Sequence, residues 1–238
     1  MSVATSKRKR LLEILSAWLT LGLLAAIATL IFLGWLADEV LEGSTRQFDD
    51  ATRAAVHTFA SPPMTLFMRA ISFLGSTEFL TVASIIAIAL LALRRWGREA
   101  KLFALTIIGA SILNITLKLA FQRPRPVPFF NLTAPESFSF PSGHSLASCC
   151  FFAGLAAILS GRIKHKRPRM ILWTIAIIMF LLIGLSRIYL GVHYTTDVIA
   201  GFAAASIWIL VVRYVEIVLT RRRKLREQRA SQLQAQLD

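Results

Sequence analysis

Three short stretches of this chain hold residues whose types and spacing could do chemistry. His193 and Asp197 are four residues apart, which on a helix puts them on one face. A carboxylate so placed accepts the proton of one imidazole nitrogen. That fixes the tautomer and leaves the other nitrogen free as a nucleophile. The same pair could instead be a hydrogen bond that joins helices. Arg187 lies six residues before His193, across a turn. Pro141-Ser142-Gly143-His144 reads as a helix start, because proline suits a first turn. Such a terminus offers free backbone N–H groups and a positive dipole end. Gly143 lets an anion approach the backbone, and the Ser142 hydroxyl adds a donor. The result is an anion site with His144 beside it; a helix start with an interfacial histidine is the plainer alternative. Lys118 and Arg125 stand seven residues apart with Pro124 between them. A helix end followed by an extended elbow aims both cations at one point. Arginine matches phosphate oxygens with a planar fork, and lysine acts as a point charge. Both could also snorkel toward lipid head groups. Taken together, the cations, two histidines and one carboxylate suit a phosphate ester.

These residues need elements to position them, and the composition says which kind. Of 238 residues, 55% are hydrophobic and 17% charged, with a mean hydropathy of +0.62. That profile points to a membrane protein. A membrane helix needs about 20 apolar residues, and the runs predict six spans at about 14–37, 77–94, 102–121, 142–160, 170–186 and 193–219. The first run is too long for a signal-peptide core and reads as a retained span. Between spans one and two lies an acidic, amphipathic stretch, 38–63, expected to lie at the membrane surface. Prolines 124, 126, 128, 135 and 141 make 122–141 a loop. Residues 1–13 form a basic N-terminus and 221–238 a basic tail. No internal repeat is visible. Cys149 and Cys150 are adjacent in an apolar run and give neither a disulfide framework nor metal-ligand spacing.

The net charge of +14 would allow nucleic-acid binding, but its distribution argues for a bilayer instead. Twenty of the 27 Lys and Arg fall in four blocks: Lys7 to Arg10, Arg94 to Lys101, Arg162 to Arg169, and Arg213 to Arg229. With both ends cytoplasmic, all four blocks are inside, giving about +15 inside and −1 outside by count. The expected fold is therefore all-α: a polytopic bundle of six transmembrane helices with both termini cytoplasmic. Lys118, Arg123, Arg125, His144, Arg187, His193 and Asp197 then meet at the outward ends of four spans. Ionisable groups at membrane depth are costly and usually functional.

Three runs also fit a known pattern. Lys118 to Pro126 fits K-x6-RP, residues 141–144 fit PSGH, and Ser186 to Asp197 fits SR-x5-H-x3-D. In this order they resemble the signature of the type 2 phosphatidic acid phosphatase family. That family includes bacterial phosphatidylglycerophosphate and undecaprenyl diphosphate phosphatases, and its signature recurs in vanadium haloperoxidases. The resemblance implies an inner-membrane lipid phosphatase with its site on the extracytoplasmic face. His193 would be the nucleophile that forms a phosphohistidine, Asp197 its support and His144 the general acid. Lys118, Arg125, Ser142, Gly143 and Arg187 would hold the phosphoryl oxygens. No metal or other cofactor is implied. The expected partners are a membrane lipid phosphate and the bilayer, with no nucleic acid. Arg123 falls at a variable place in the first motif and reads as a supporting or head-group contact. The phenylalanines Phe121, Phe129, Phe130, Phe138 and Phe140 read as membrane anchors or tail contacts. A lipid phosphotransferase, or a non-catalytic lipid-binding or transport protein, is the alternative; substrate and oligomeric state stay open.

Overall fold

The computed structural model describes residues 2–133 and 135–237, with side chains from Thr20 onward except in parts of the C-terminal tail. The basic side chains of Lys7 to Arg10 lie outside the described residues. Among the described residues all regular structure is helical: α1 (Ser2–Glu42), α2 (Arg46–His57), α3 (Pro62–Phe73), α4 (Thr77–Leu93), α5 (Gly97–Phe121), α6 (Gly143–Ser160), α7 (Lys166–Tyr189) and α8 (Thr195–Leu237). Five of these are long and apolar enough to cross a membrane: α1 over Thr20–Glu42, α5, α6, α7, and α8 over Thr195–Arg222. α4 has only 17 residues. It reaches spanning length together with α3, from which it is bent by 48°. Large apolar side chains face outward along all of these elements except α6, for example Leu21, Ile31, Ile85, Ile108 and Ile175. An apolar surface this continuous is the mark of a lipid-facing bundle. The chain is an all-α, multi-pass membrane protein.

α6 is the central element. Over half of its spanning window is buried, 56%, against 11% for α1. It packs on α5, α7 and α8 through Leu146, Cys149 and Cys150, which meet Ala110, Ala204 and Ala205. Small residues let helix backbones approach closely in lipid, where packing replaces the hydrophobic drive. Gly201 is one such instance: a Cβ there would lie 2.7 Å from the Ser142 carbonyl oxygen. This approach sets the first turn of α8 beside the start of α6, where Ser142 N donates to the Asp197 carbonyl at 2.9 Å.

Several boundaries differ from the apolar runs for local reasons. α1 continues past Asp38 and Glu39 and stops only at Gly43, whose φ of +79° is the left-handed conformation that ends helices. α5 ends at Gln122, also left-handed with φ 45°, just before Arg123-Pro124. α8 begins two residues after His193, not at it. The stretch 38–63 is no simple surface helix. It holds the end of α1 and then α2, whose Asp49 and Arg53 are buried against the α7–α8 turn.

Candidate active site

α5, α6, α7 and the two loops at one end of the bundle converge on a cavity of about 380 Å³. Lys118, Arg125, Gly143, His144, Arg187 and His193 all line it. Six of the eight residues singled out from the sequence are therefore brought together. The other two lie just behind. Asp197 is fully buried beneath His193, and Ser142 is the N-cap of α6. The Ser142 Oγ accepts from Ser145 N at 3.4 Å and from Ser145 Oγ at 3.0 Å, so its side chain serves the helix start and does not line the cavity.

His193 sits in the turn before α8 with 1% of its surface exposed. Its Nδ1 is 3.2 Å from Asp197 Oδ2, and its Nε2 is 3.0 Å from Arg125 Nη1. A guanidinium only donates, so Nε2 must be the accepting nitrogen and the ring proton lies on Nδ1, facing the carboxylate. Burial is the largest influence on the ring and pushes its pKa down to about 3, against the upward pull of Asp197. The imidazole is thus neutral with a bare Nε2, the form a nucleophile requires.

Asp197 is held by more than the histidine. Its Oδ2 also accepts from Ser139 Oγ at 2.5 Å and from Tyr194 N at 2.9 Å. The second bond is a side chain in the first turn reaching back to the backbone N–H that precedes the helix, half of a capping box. This explains how His193 meets Asp197 without itself being helical. Asp197 Oδ1 accepts from Arg123 Nη1 at 2.7 Å. Arg123 also pairs with Asp49 Oδ2 at 2.8 Å and lies 4.1 Å over the Tyr194 ring. Asp49 caps α8 from outside, accepting from Thr196 N at 2.9 Å and from Thr196 Oγ1 at 2.7 Å.

The cations reach the cavity on fixed backbones. Arg125 is pinned by donation to Ser137 O at 2.6 Å, Ser137 Oγ at 3.0 Å and Val192 O at 2.8 Å. Lys118 donates to the Phe138 carbonyl. Arg187 is buried and donates to Ser72 Oγ on α3, while its Nε is buried with no partner. Buried donors are normally paired, and this unmet guanidinium N–H lies beside two more cations, Lys118 and Arg125. The first N–H groups of α6 have no partner within the helix and add further donors. His144 is shaped by the α3–α4 bend. A Cβ on Gly75 would lie 2.3 Å from Ile183 Cγ2 and 3.2 Å from His144 Cδ2. Among the described residues no cluster of three His, Cys, Asp or Glu side chains could hold a metal ion.

Sequence reasoning missed Asp49, Ser139, Ser72 and Asn114, and undervalued Arg123. Asp49 had one faint signal, a carboxylate in an amphipathic run, but nothing tied it to α8. Four of the five phenylalanines are partners within the protein: Phe129 stacks on His57 at 4.1 Å, Phe130 on Tyr189 at 5.4 Å, and Phe140 meets Phe121 edge-on at 5.0 Å.

Residues 99–220 match the model of the PAP2 superfamily. Phosphatidylglycerophosphatase B of Bacillus subtilis is 31% identical over 191 residues, covering 79% of this chain and 92% of that protein. An undecaprenyl-diphosphatase of Sulfolobus acidocaldarius is 31% identical over 125 residues, covering 50% of this chain and 56% of its own length. The crystal structure of a transmembrane PAP2-type phosphatidylglycerolphosphate phosphatase from Bacillus subtilis superposes with a TM-score of 0.74 at 29% identity, covering 80% of this chain and 95% of that one. The chain belongs to the PAP2 superfamily. It is a membrane hydrolase of the lipid phosphatase type.

Proposed function

We propose that this chain releases phosphate from a membrane lipid phosphomonoester or diphosphate through a phosphohistidine on His193. The observation that carries the reading is the Arg125 N–H lying 3.0 Å from His193 Nε2. It leaves the proton on Nδ1 and sets a cation beside the nucleophilic atom. When substrate enters, Arg125, Lys118, Arg187 and the α6 N-terminus hold the phosphoryl oxygens, where charge spreads in the transition state. Nε2 forms a bond to phosphorus as the bond to the leaving oxygen breaks. Asp197 supports the imidazolium that develops. His144 gives its proton to the leaving oxygen. Water then attacks phosphorus, its proton passes to His144, and the P–N bond breaks to free phosphate and His193.

The substrate proposed is undecaprenyl diphosphate or phosphatidylglycerophosphate, which the relatives' names describe, or phosphatidate. The proposed location is the inner membrane, and the charge distribution supports both termini in the cytoplasm and a site opening on the outer face. The test is phosphate release from a panel of these lipids by detergent-purified protein with EDTA present. Wild type is expected to turn over at least one of them. His193→Ala is expected to abolish turnover, and His144→Ala to lower kcat by about 10²- to 10⁴-fold. Full activity in His193→Ala would sink the mechanism.

A further inference from the structure

The cavity does not stop at the cations. It continues between α4 and α5, past Asn114, Ser111 and Ala110 to Ile107 on one side and from Thr77 to Ser84 on the other. Each wall, Asn114 to Ile107 on α5 and Thr77 to Ser84 on α4, covers seven helical steps, a rise of about 10 Å. Leu80, Ile107 and Ala147 wall this part, and no charged side chain lines it. Yet two polar atoms there are buried and without a partner, Ser84 Oγ and Asn114 Oδ1. Ser84 is only 4% exposed. A hydroxyl inside a helix commonly satisfies itself on the carbonyl four residues back. Thr106 and Ser111 on α5 do this, donating to Leu102 and Ile107. Ser84 does not. The Asn114 amide lies one turn below Lys118 and against Gly143, whose Cβ would be 3.0 Å from Asn114 Nδ2. It stands between the phosphate groups and the deeper chamber.

We infer that this chamber is a leaving-group subsite in which Asn114, next to the phosphate-binding groups, and Ser84, at the deep end, bind uncharged oxygen atoms of the lipid, hydroxyl or ester. The inference rests on the phosphatase reading above. A second phosphate would find no cation at this depth. A purely hydrocarbon leaving group would leave both polar side chains unmatched. A site built to hydrogen-bond a substrate group discriminates strongly against an analogue that lacks it, because its own buried groups are then stranded.

The test compares kcat/KM for two phosphomonoesters of similar chain length, dioctanoylglycerol phosphate and a long-chain alkyl phosphate, with the purified full chain in detergent. Wild type is expected to prefer the glycerol ester. Ser84→Ala and Asn114→Leu are expected to shrink that preference by about tenfold each, within the range such contacts command. Ser84→Ala removes a single oxygen from a buried site, so it keeps the comparison interpretable should Asn114→Leu fold poorly. A wild-type preference retained in Ser84→Ala, or an equal fall on both substrates, overturns the subsite. Release from both lipids that survives in His193→Ala overturns instead the phosphatase mechanism on which the subsite stands.

Discussion

His193 is defined by what touches its two nitrogens. Nδ1 faces Asp197 and Nε2 faces Arg125, and burial drives the ring pKa down to about 3. The sign follows directly: above that pH the ring is neutral, and it gains a proton only below it. Nitrogen-15 NMR of histidine-labelled protein in micelles should therefore show His193 unchanged from pH 8 to pH 5, with the proton on Nδ1. A titration midpoint near the ordinary histidine value of about 6.5 would contradict this environment. Asp197→Asn should disturb the same signal, because the amide cannot replace a carboxylate that accepts four hydrogen bonds at once. Much of this site could be read from the sequence, since Lys118, Arg125, His144, Arg187, His193 and Asp197 all sit where apolar runs start or stop. The remainder is contact between distant residues. Asp49 and Thr196 are 147 positions apart, and no local spacing links a carboxylate on one helix to a backbone N–H so far along the chain. Asn114 looked like an ordinary residue within a span.

α2 acts as a clamp on the back of the site. Asp49 joins it to Arg123 and to the first turn of α8, and Arg53 donates to Val127 O at 2.9 Å and Gly191 O at 3.2 Å. Gly191 can take part in so tight a turn because its φ is +73°, and Phe129 N would lie 2.6 Å from any Cβ there. Breaking a buried ion pair costs up to about 3–5 kcal/mol; here Arg123 would keep Asp197 while Thr196 N loses its acceptor. Asp49→Ala should then lower Tm in detergent by several degrees, at about 2–4 °C per kcal/mol for a chain of this size. Because Arg123 also pairs with Asp197 at 2.7 Å, kcat should fall along with Tm. An unchanged Tm would mean that α2 is not holding the site. Hydropathy revealed the helices but not this clamp. α2 is short and polar, so its periodicity marks an amphipathic surface element, and only the fold shows that its polar face turns inward. The bend between α3 and α4 was hidden for a related reason: Gly75-Ser76 interrupts the apolar residues only briefly, while the 48° angle depends on packing against α7.

Across the whole molecule, the charges and the site give one orientation. The loop carrying Arg123 and Arg125 lies at the cavity end of the bundle, and the basic loop 161–165 joins the other ends of α6 and α7. Since basic loops stay in the cytoplasm, the cavity should open on the opposite face, where lipid phosphates would meet it from outside. Single cysteines can read this directly, because native Cys149 and Cys150 are buried and should give little background. Val127 is 84% exposed in the cavity-side loop. Val127→Cys should react with a membrane-impermeant maleimide on intact cells or spheroplasts. Lys164→Cys, on the exposed loop between α6 and α7, should react only after the membrane is opened. The reverse pattern would invert the protein, and its site would then draw on the cytoplasmic leaflet. Labelling of both positions from outside would instead break the up-and-down path of α6 and α7, because α6 alone separates the two loops.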